Sequence, residues 1–402
     1  MSISSLIGES CGKLQATNGT WYKPVIVADI MNGLNITVLD QPNSYSGAAY
    51  AEQPLYADLT RLISKINVGG SARLRIRNNL TGAVIADSAV LSGFAASYNA
   101  DLGDEDDTSV YLPMVSVATV NIISKTTGAT LSAIAVPSGH IPVNVKVSTD
   151  KIYVLTVTGG VYNIHIYNKT TYAFIITKTM AGSGVATAEN QHMVCLKDVM
   201  VVCVNQAGAP RIGLIELSTN NLIDTTTGAQ VCVSIAKTGD NTFSILTSSS
   251  LSISMFPYLV LKSQLGIFSF LIQEQLNIPT PANSFYNNIN SVTLKVRFSN
   301  GVYYFETFKN SDKEPIILQV PSNFNAINHP SATDTTAEAN AVKQLKVAIF
   351  LGFGTVSNAI SNSLLDYKNG YFFSMTALES AGQNQIISTK LAMQLVGYQA
   401  VE

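Results

Sequence analysis

The chain has 402 residues, of which 47% are hydrophobic and 12% are charged, and its formal net charge is −2 at pH 7. An average soluble domain has about 25% charged residues, so uncharged polar side chains must form much of this surface. The balanced charge and the lack of Lys or Arg runs exclude nucleic acid and anionic membranes as expected partners. The N-terminal MSISSLIGES lacks a signal-peptide core, and we expect synthesis in the cytoplasm without membrane insertion.

The first predicted elements are an N-terminal arm over residues 1–21 and a repeat that begins soon after it. Two later segments have apolar residues at helical spacing, YADLTRLISKI at 56–66 and TAEANAVKQLKVAIF from 336. In the first of them Leu59, Leu62, Ile63 and Ile66 would share one helix face. We predict helical insertions near 45–70 and 325–350.

A polar corner after an apolar strand recurs along the chain. NNLTGAVI at 78–85 and SKTTGATL at 124–131 are two copies of it. The residues that open these corners are Asp40, Asn78, Ser124, Asn168 and Glu216. Turn residues between short β-rich segments are typical of antiparallel hairpins.

A second mark has the same period. Asp106, Asp150 and Asp198 each stand eighteen residues before a corner and open an apolar strand. We predict that the three aspartates occupy equivalent turns in successive units. Each unit is then a β-meander of about 45 residues, which is the period of propeller blades. The length allows six or seven blades, and a β-sandwich or jelly roll is the alternative.

The corner phrase, an apolar strand followed by a polar Thr-Gly or Thr-Asn turn, resembles the blades of YVTN and quinoprotein-like β-propellers from Arg73 to Val233. The resemblance implies the fold, of the decorated kind found in phage tail and other virion structural proteins. Trp21 is the single tryptophan, so the tryptophan-per-blade signatures of WD40, kelch and quinoprotein repeats are absent and no quinone cofactor is expected. We place the repeat domain at 22–395 and a C-terminal tail at 396–402.

The acidic segment DLGDEDD is a weak candidate for a calcium site. Asp101, Asp104, Asp106 and Asp107 offer the oxygen ligands that calcium prefers, but the twelve-residue loop pattern is missing. A solvated loop is the alternative interpretation.

The remaining chemistry-bearing residues form no recognisable catalytic pattern. Gly352 and Gly354 resemble part of a dinucleotide loop, but Ser357 replaces its third glycine and a tight turn is the better interpretation. The histidines are His140, His165, His192 and His329, and the cysteines are Cys11, Cys195, Cys203 and Cys232. We expect His165 to face a neighbour within a strand and the cysteines to be mostly buried free thiols.

These observations favour a structural virion protein, such as a tail, adaptor, nozzle or spike component. Its partners would be copies of itself and other virion proteins, and we expect neither catalysis nor a cofactor. The first alternative is a carbohydrate- or receptor-binding module for a host surface, in which Tyr303, Tyr304 and Phe305 stack on the ligand. A propeller hydrolase is the second alternative and needs converging acids or ligands.

Overall fold

The structure is a computed structural model. It describes residues 14–15, 21–28, 36–40, 53–58, 60–68, 71–79, 81–94, 102–181, 191–206, 209–226, 232–248, 252–264, 266–272, 276–279, 295–299, 302–308, 315–321, 346–349, 363–366, 371–378, 383–390 and 395–401.

The described residues form β-strands and no α-helix, and hence no helix that could cross a membrane. In chain order the strands are β1 (Leu14–Gln15), β2 (Trp21–Ala28), β3 (Ile36–Asp40), β4 (Gln53–Ala57), β5 (Arg61–Val68), β6 (Ser71–Asn78), β7 (Val84–Asp87), β8 (Asp104–Glu105), β9 (Ser109–Met114), β10 (Thr119–Ser124), β11 (Thr130–Ala135), β12 (Ile141–Val147), β13 (Lys151–Thr158), β14 (Val161–Asn168), β15 (Phe174–Thr179), β16 (Gln191–Cys195), β17 (Val199–Gln206), β18 (Ala209–Glu216), β19 (Leu222–Thr226), β20 (Cys232–Lys237), β21 (Thr242–Ser248), β22 (Ser252–Lys262), β23 (Phe268–Ile272), β24 (Leu276–Pro279), β25 (Lys295–Ser299), β26 (Val302–Phe308), β27 (Pro315–Pro321), β28 (Lys346–Ile349), β29 (Ser363–Asp366), β30 (Tyr371–Leu378), β31 (Gln383–Lys390) and β32 (Leu395–Val401).

The strands pair into antiparallel sheets, which we number along the chain. Sheets 1 to 4 are meanders of four consecutive strands, β4–β7, β8–β11, β12–β15 and β16–β19. Sheet 5 contains β20–β24, sheet 6 is the meander β25–β28, sheet 7 has the order β29-β30-β31-β3, and sheet 8 has the order β1-β2-β32. In the described part of the chain, seven sheets therefore have at least four strands, which agrees with the predicted six or seven units.

The chain divides into two compact units. Unit 1 comprises Met1–Ser44, Ser249–Met255 and Gln275–Glu402, and unit 2 comprises Tyr45–Ser248 and Phe256–Glu274. The domain boundaries at 22–395 stay a prediction.

Within unit 2, each sheet packs face to face on the next one. One apolar cluster joins sheets 1 and 2, where Ile63 and Leu74 meet Leu112. Three further clusters join sheets 2 and 3, sheets 3 and 4, and sheets 4 and 5. A β-sandwich has a single core between two sheets, so these four successive cores contradict the sandwich alternative.

The middle strands of unit 2 are consequently buried on both faces. All six residues of β9 and the first six of β13 are buried. This explains continuous apolar runs such as KIYVLTV, which lack the polar alternation of a half-exposed strand.

The predicted helix at 56–66 is wrong, because this segment is the hairpin of β4 and β5. Asp58 forms the turn by accepting the N–H groups of Thr60 and Arg61 over 2.9–3.0 Å. Leu62, Ile63 and Ile66 are all buried because β5 packs on both faces, and this produced the false helical spacing. Leu59 lies outside the described residues.

The other predicted insertion and the first predicted corner also differ from the structure. Within TAEANAVKQLKVAIF, Lys346–Ile349 is strand β28, and the other residues of this segment lie outside the described ones. Asp40 ends β3, which is the last strand in the order of sheet 7, so it does not join a third strand to a fourth as the later corners do.

In unit 1, strands from the two ends of the chain pair with each other. β3 pairs with β31, with Thr37 opposite Ser388, and β2 pairs with β32, with Tyr22 opposite Ala400. The segment predicted as an arm thus contains β1, and the segment predicted as a tail contains most of β32. Both strands pair with β2.

Candidate functional site

The corners between the third and fourth strands of sheets 1 to 4 share one hydrogen-bonded structure. They occupy residues 78–83, 124–129, 168–173 and 216–221. In each corner the first N–H donates to the sixth carbonyl over 2.8–2.9 Å, and the fifth N–H donates to the first carbonyl over 2.8–3.0 Å. A threonine hydroxyl at the fourth position accepts the sixth N–H over 3.2–3.3 Å. The repeated sequence phrase is therefore a structural repeat.

The fifth residue of each corner has a left-handed backbone. The φ angles are 73°, 70°, 58° and 61° at Gly82, Gly128, Tyr172 and Asn220. Glycine adopts this conformation without a Cβ clash, which explains Thr-Gly in the first two corners. At Gly128 a Cβ would also lie only 3.1 Å from the backbone at Asp87 of the neighbouring sheet.

The three aspartates that mark the repeat lie in equivalent turns, between the first and second strands of sheets 2, 3 and 4. Their positions within the turn differ, because Asp106 stands three residues before its strand, whereas Asp150 and Asp198 stand directly before theirs. The hairpin of β9 and β10 in sheet 2 is shorter than its counterparts, so the distance from aspartate to corner is still eighteen residues. Asp58 in sheet 1 is the true counterpart of Asp106, since each carboxylate accepts two backbone N–H groups of its turn. The sequence period did not identify Asp58.

Polar contacts join these turns and corners between neighbouring sheets of unit 2. In each contact a lysine reaches across to the next or the preceding sheet. The contacts are Lys125–Asp58 between sheets 1 and 2 (3.5 Å), Lys169–Asp106 between sheets 2 and 3 (2.9 Å), Lys151–Asn220 between sheets 3 and 4 (3.0 Å) and Lys262–Glu216 between sheets 4 and 5 (3.3 Å).

Asp106 is the centre of the contact between sheets 2 and 3. Its carboxylate lies 2.9 Å from Lys169 Nζ and accepts the Tyr111 hydroxyl over 2.8 Å, in addition to the backbone N–H groups of Thr108 and Ser109. Burial opposes ionisation, but these hydrogen bonds hold the pKa of Asp106 well below its usual range. Burial and the Asp106 carboxylate raise the pKa of Tyr111 far above its usual value.

The other acidic residues of DLGDEDD have separate partners. Asp104 accepts a backbone N–H at the end of β12 over 2.8 Å, and burial raises its pKa. Glu105 lies 2.8 Å from Lys125 Nζ, and burial raises its pKa as well. Asp107 is exposed, and Asp101 lies outside the described residues. Across the described chain no three His, Cys, Asp or Glu side chains are grouped as metal ligands, and the acidic segment serves as a junction between sheets.

Exposed apolar side chains line the outer strands of sheets 1 to 3. Each lies within the first two residues after a corner, and their exposed fractions are 41–56%. This set, called here the outer apolar row, consists of Val84, Ile85, Leu131, Phe174 and Ile175. Strands β7, β11 and β15 have no further strand partner among the described elements, so an edge and apolar side chains are exposed together.

Two of the histidines form a pair within sheet 3. His165 on β14 is 1% exposed, and its Nε2 lies 3.1 Å from His140 Nδ1. His165 Nδ1 lies 2.7 Å from the Thr177 hydroxyl, and His140 Nδ1 lies 3.1 Å from the Thr156 hydroxyl. The Phe174 ring centre is 6.4 Å from that of His165. The expectation that His165 faces a neighbour is confirmed, but the sequence did not indicate which one.

Of the three aromatic candidates for glycan stacking, Tyr303 is not available to a ligand. Tyr303 is buried, with its ring centre 4.9 Å from that of Phe298, so it cannot offer a ring face to a sugar. Tyr304 and Phe305 belong to β26, and their side chains are not among those that the structure describes.

The cysteines agree with the sequence prediction where they are described. Cys203 and Cys232 are buried thiols outside any disulfide bond, and Cys195 is a partly buried one. Burial raises the pKa of Cys195 to about 11, so its thiol is weakly nucleophilic. His192 is buried in β16. The candidates that lie outside the described residues are Cys11, His329, Gly352, Gly354 and Ser357.

The chain is similar in fold to solved structures, among them a β-propeller. It superposes on hydrazine synthase of Kuenenia stuttgartiensis with a TM-score of 0.53 and 10% identity, over 88% of this chain and 99% of that one. The Dos1 propeller gives a TM-score of 0.50 and 9% identity, over 92% of this chain and 99% of that one. The sequence matches no protein-family model and no curated protein. At such identities the likeness shows the fold alone, and the fold is an all-β, propeller-like array of four-stranded antiparallel meanders.

Proposed function

We propose that this chain is a non-enzymatic β-propeller that acts through protein–protein assembly, as a structural component of a virion. Its place would be a tail, adaptor, nozzle or spike, after synthesis in the host cytoplasm. The observation that carries the proposal is the outer apolar row, which exposes large apolar side chains beside unpaired strand edges. Burial of such a row against another subunit removes apolar area from water and satisfies the strand edges.

The occupant that we assign to the row is a second copy of the chain. A net charge of −2 on 402 residues gives copies little electrostatic repulsion. Other virion proteins would bind in the same particle, and neither nucleic acid nor a membrane is required. The glycan-binding alternative loses support because Tyr303 is buried. The hydrolase alternative needs converging acids, whereas Glu105 and Asp106 pair with separate lysines.

Sedimentation velocity over about a hundredfold range of concentration tests the assembly. We expect the wild-type chain to associate, and the double variant Leu131→Ser with Phe174→Ser to dissociate at a protein concentration about tenfold higher or more. Ile267→Ser is the matched control, because Ile267 is 61% exposed but lies in a loop outside the row.

A wild-type chain that stays monomeric throughout would reject the row as an assembly surface, and so would an unchanged double variant. The virion role is tested separately by peptide mass spectrometry of purified particles. Absence of the chain from particles would reject that role even if self-association were observed.

A further inference from the structure

The His140–His165 pair lies directly inside the outer strand of sheet 3. His165 faces Val154 of β13 and Thr177 of β15 in the strand register, so it holds a position between the two neighbouring strands. On β15 the exposed Phe174 packs its ring 5.7 Å from the Tyr167 ring, two residues along from His165. The pair is therefore in direct contact, through Thr177, with the strand that carries Phe174.

The groups around the pair make a second proton unfavourable. β13 and β15 face it with the hydroxyls of Thr156 and Thr177. On the same face lies the apolar cluster between sheets 2 and 3, whose titratable side chains are tyrosines: Tyr111 and Tyr167 are buried in it, and Tyr172 packs against it. Burial raises the pKa of both Tyr111 and Tyr167, so both are neutral phenols. No carboxylate of the described residues is hydrogen-bonded to either imidazole. Positive charge on both rings would thus be uncompensated.

The geometry of the two facing nitrogens permits only one proton between them. In the neutral pair, one nitrogen donates its N–H and the other accepts it across 3.1 Å. When both imidazoles take up a proton from water, both facing nitrogens carry hydrogen and both rings are positive. The two rings must then separate. Burial, and next the neighbouring His140, lower the pKa of His165 to about 4, in agreement with this geometry.

We propose that the His140–His165 pair is an acid-sensitive latch, which holds β15, with Phe174 and Ile175 of the outer apolar row, in place at neutral pH and releases this strand when both rings are protonated. Acidification then weakens the contact of Phe174 and Ile175 with a second copy of the chain. The effect on the second copy rests on the proposed function, whereas the opening of β15 does not.

Hydrogen–deuterium exchange of the full chain at about pH 7.5 and about pH 4.5, corrected for intrinsic exchange, measures the latch. We expect the β15 amides to exchange at least about tenfold faster at the lower pH in wild type. His140→Asn keeps an amide near the Nδ1 position but cannot take a charge, so its β15 should change less than about threefold. Strand β19, the matching outer strand of sheet 4, is the internal control and should change equally in both proteins.

Equal opening of β15 in wild type and His140→Asn, or no opening in wild type, would overturn the latch. If the variant does not fold, the wild-type ring resonances decide. Two protonation steps, one of them well below the usual histidine range, support the latch, and two independent titrations in the usual range reject it. If β15 opens as expected but sedimentation shows a monomer at every pH, the latch stands and the proposed assembly fails.

Discussion

Gly128 is under two separate constraints. Its φ of 70° disfavours any residue with a Cβ, and a Cβ would also lie 3.1 Å from backbone atoms of Asp87 in the neighbouring sheet. Gly159 has a similar φ of 55°, but an added Cβ there would meet no atom within 4 Å. The two glycines therefore separate the cost of conformation from the cost of contact between sheets.

We expect Gly128→Ala to lower the free energy of unfolding more than Gly159→Ala does. The left-handed conformation costs about 1–2 kcal/mol in either variant. At residue 128 the backbone of two sheets must also shift, which adds about 1–3 kcal/mol. Urea denaturation of both variants measures the difference. Equal losses would mean that the close approach between the sheets is not present in solution.

At the residue scale, sequence reasoning located the corners that open at Asn168 and Glu216 but did not identify their left-handed residues. Thr81-Gly82 predicted its corner because glycine readily adopts positive φ. Tyr172 and Asn220 hold the same position without glycine, and only the hydrogen bonds reveal it. The His140–His165 contact depends on how strands stack and register, which no local spacing encodes.

At the element scale, the error at 56–66 has a physical cause. An amphipathic helix and a turn followed by a doubly buried strand can both place apolar residues three or four positions apart. The Asp58 turn distinguishes the strand from the helix. Its carboxylate accepts two backbone N–H groups, and the new strand begins directly after this turn. The meander prediction succeeded in sheets 2 to 4 because two independent marks had one period.

Asp106→Asn should weaken the junction between sheets 2 and 3, with a loss of about 2 kcal/mol in the free energy of unfolding. An amide cannot give Lys169 a charged partner or accept all the hydrogen bonds that the carboxylate receives. The folded pKa of Asp106 lies below its unfolded value of 3.8, so this stabilisation is present above about pH 4 and is lost as the pH falls further.

Chemical denaturation at several pH values measures both effects. Asp107→Asn is the control, since it makes the same change of charge at the exposed neighbouring residue. The Asp106 variant should lose less stability than wild type on acidification below about pH 4. If both variants follow the wild-type pH profile, the Asp106 junction contributes nothing to folding.

At the scale of the whole molecule, sequence reasoning gave the repeat but not the pairing of early strands with late ones in unit 1. The period is clear in unit 2, where each sheet stacks on the next, and it fades in the later sheets. The pairing of β3 with β31 joins segments about 350 residues apart, and no periodic pattern relates the two. Such long-range pairing depends on strand edges that become available only when the rest of the unit has formed.

The β3–β31 pairing predicts that Thr37→Cys and Ser388→Cys form a disulfide bond. The two residues are direct partners in the register, and partners across antiparallel strands have Cα atoms about 4.5–5.5 Å apart, within reach of a disulfide. Closing a loop of about 350 residues should stabilise the folded chain by up to about 5 kcal/mol. Non-reducing electrophoresis shows the bond, and melting with and without reductant shows its effect.

The control pairs Thr37→Cys with Thr376→Cys, because Thr376 lies on β30 and its register partner is Gln385 rather than a residue of β3. If the control pair oxidises as readily as the test pair, β3 is not the strand that completes sheet 7.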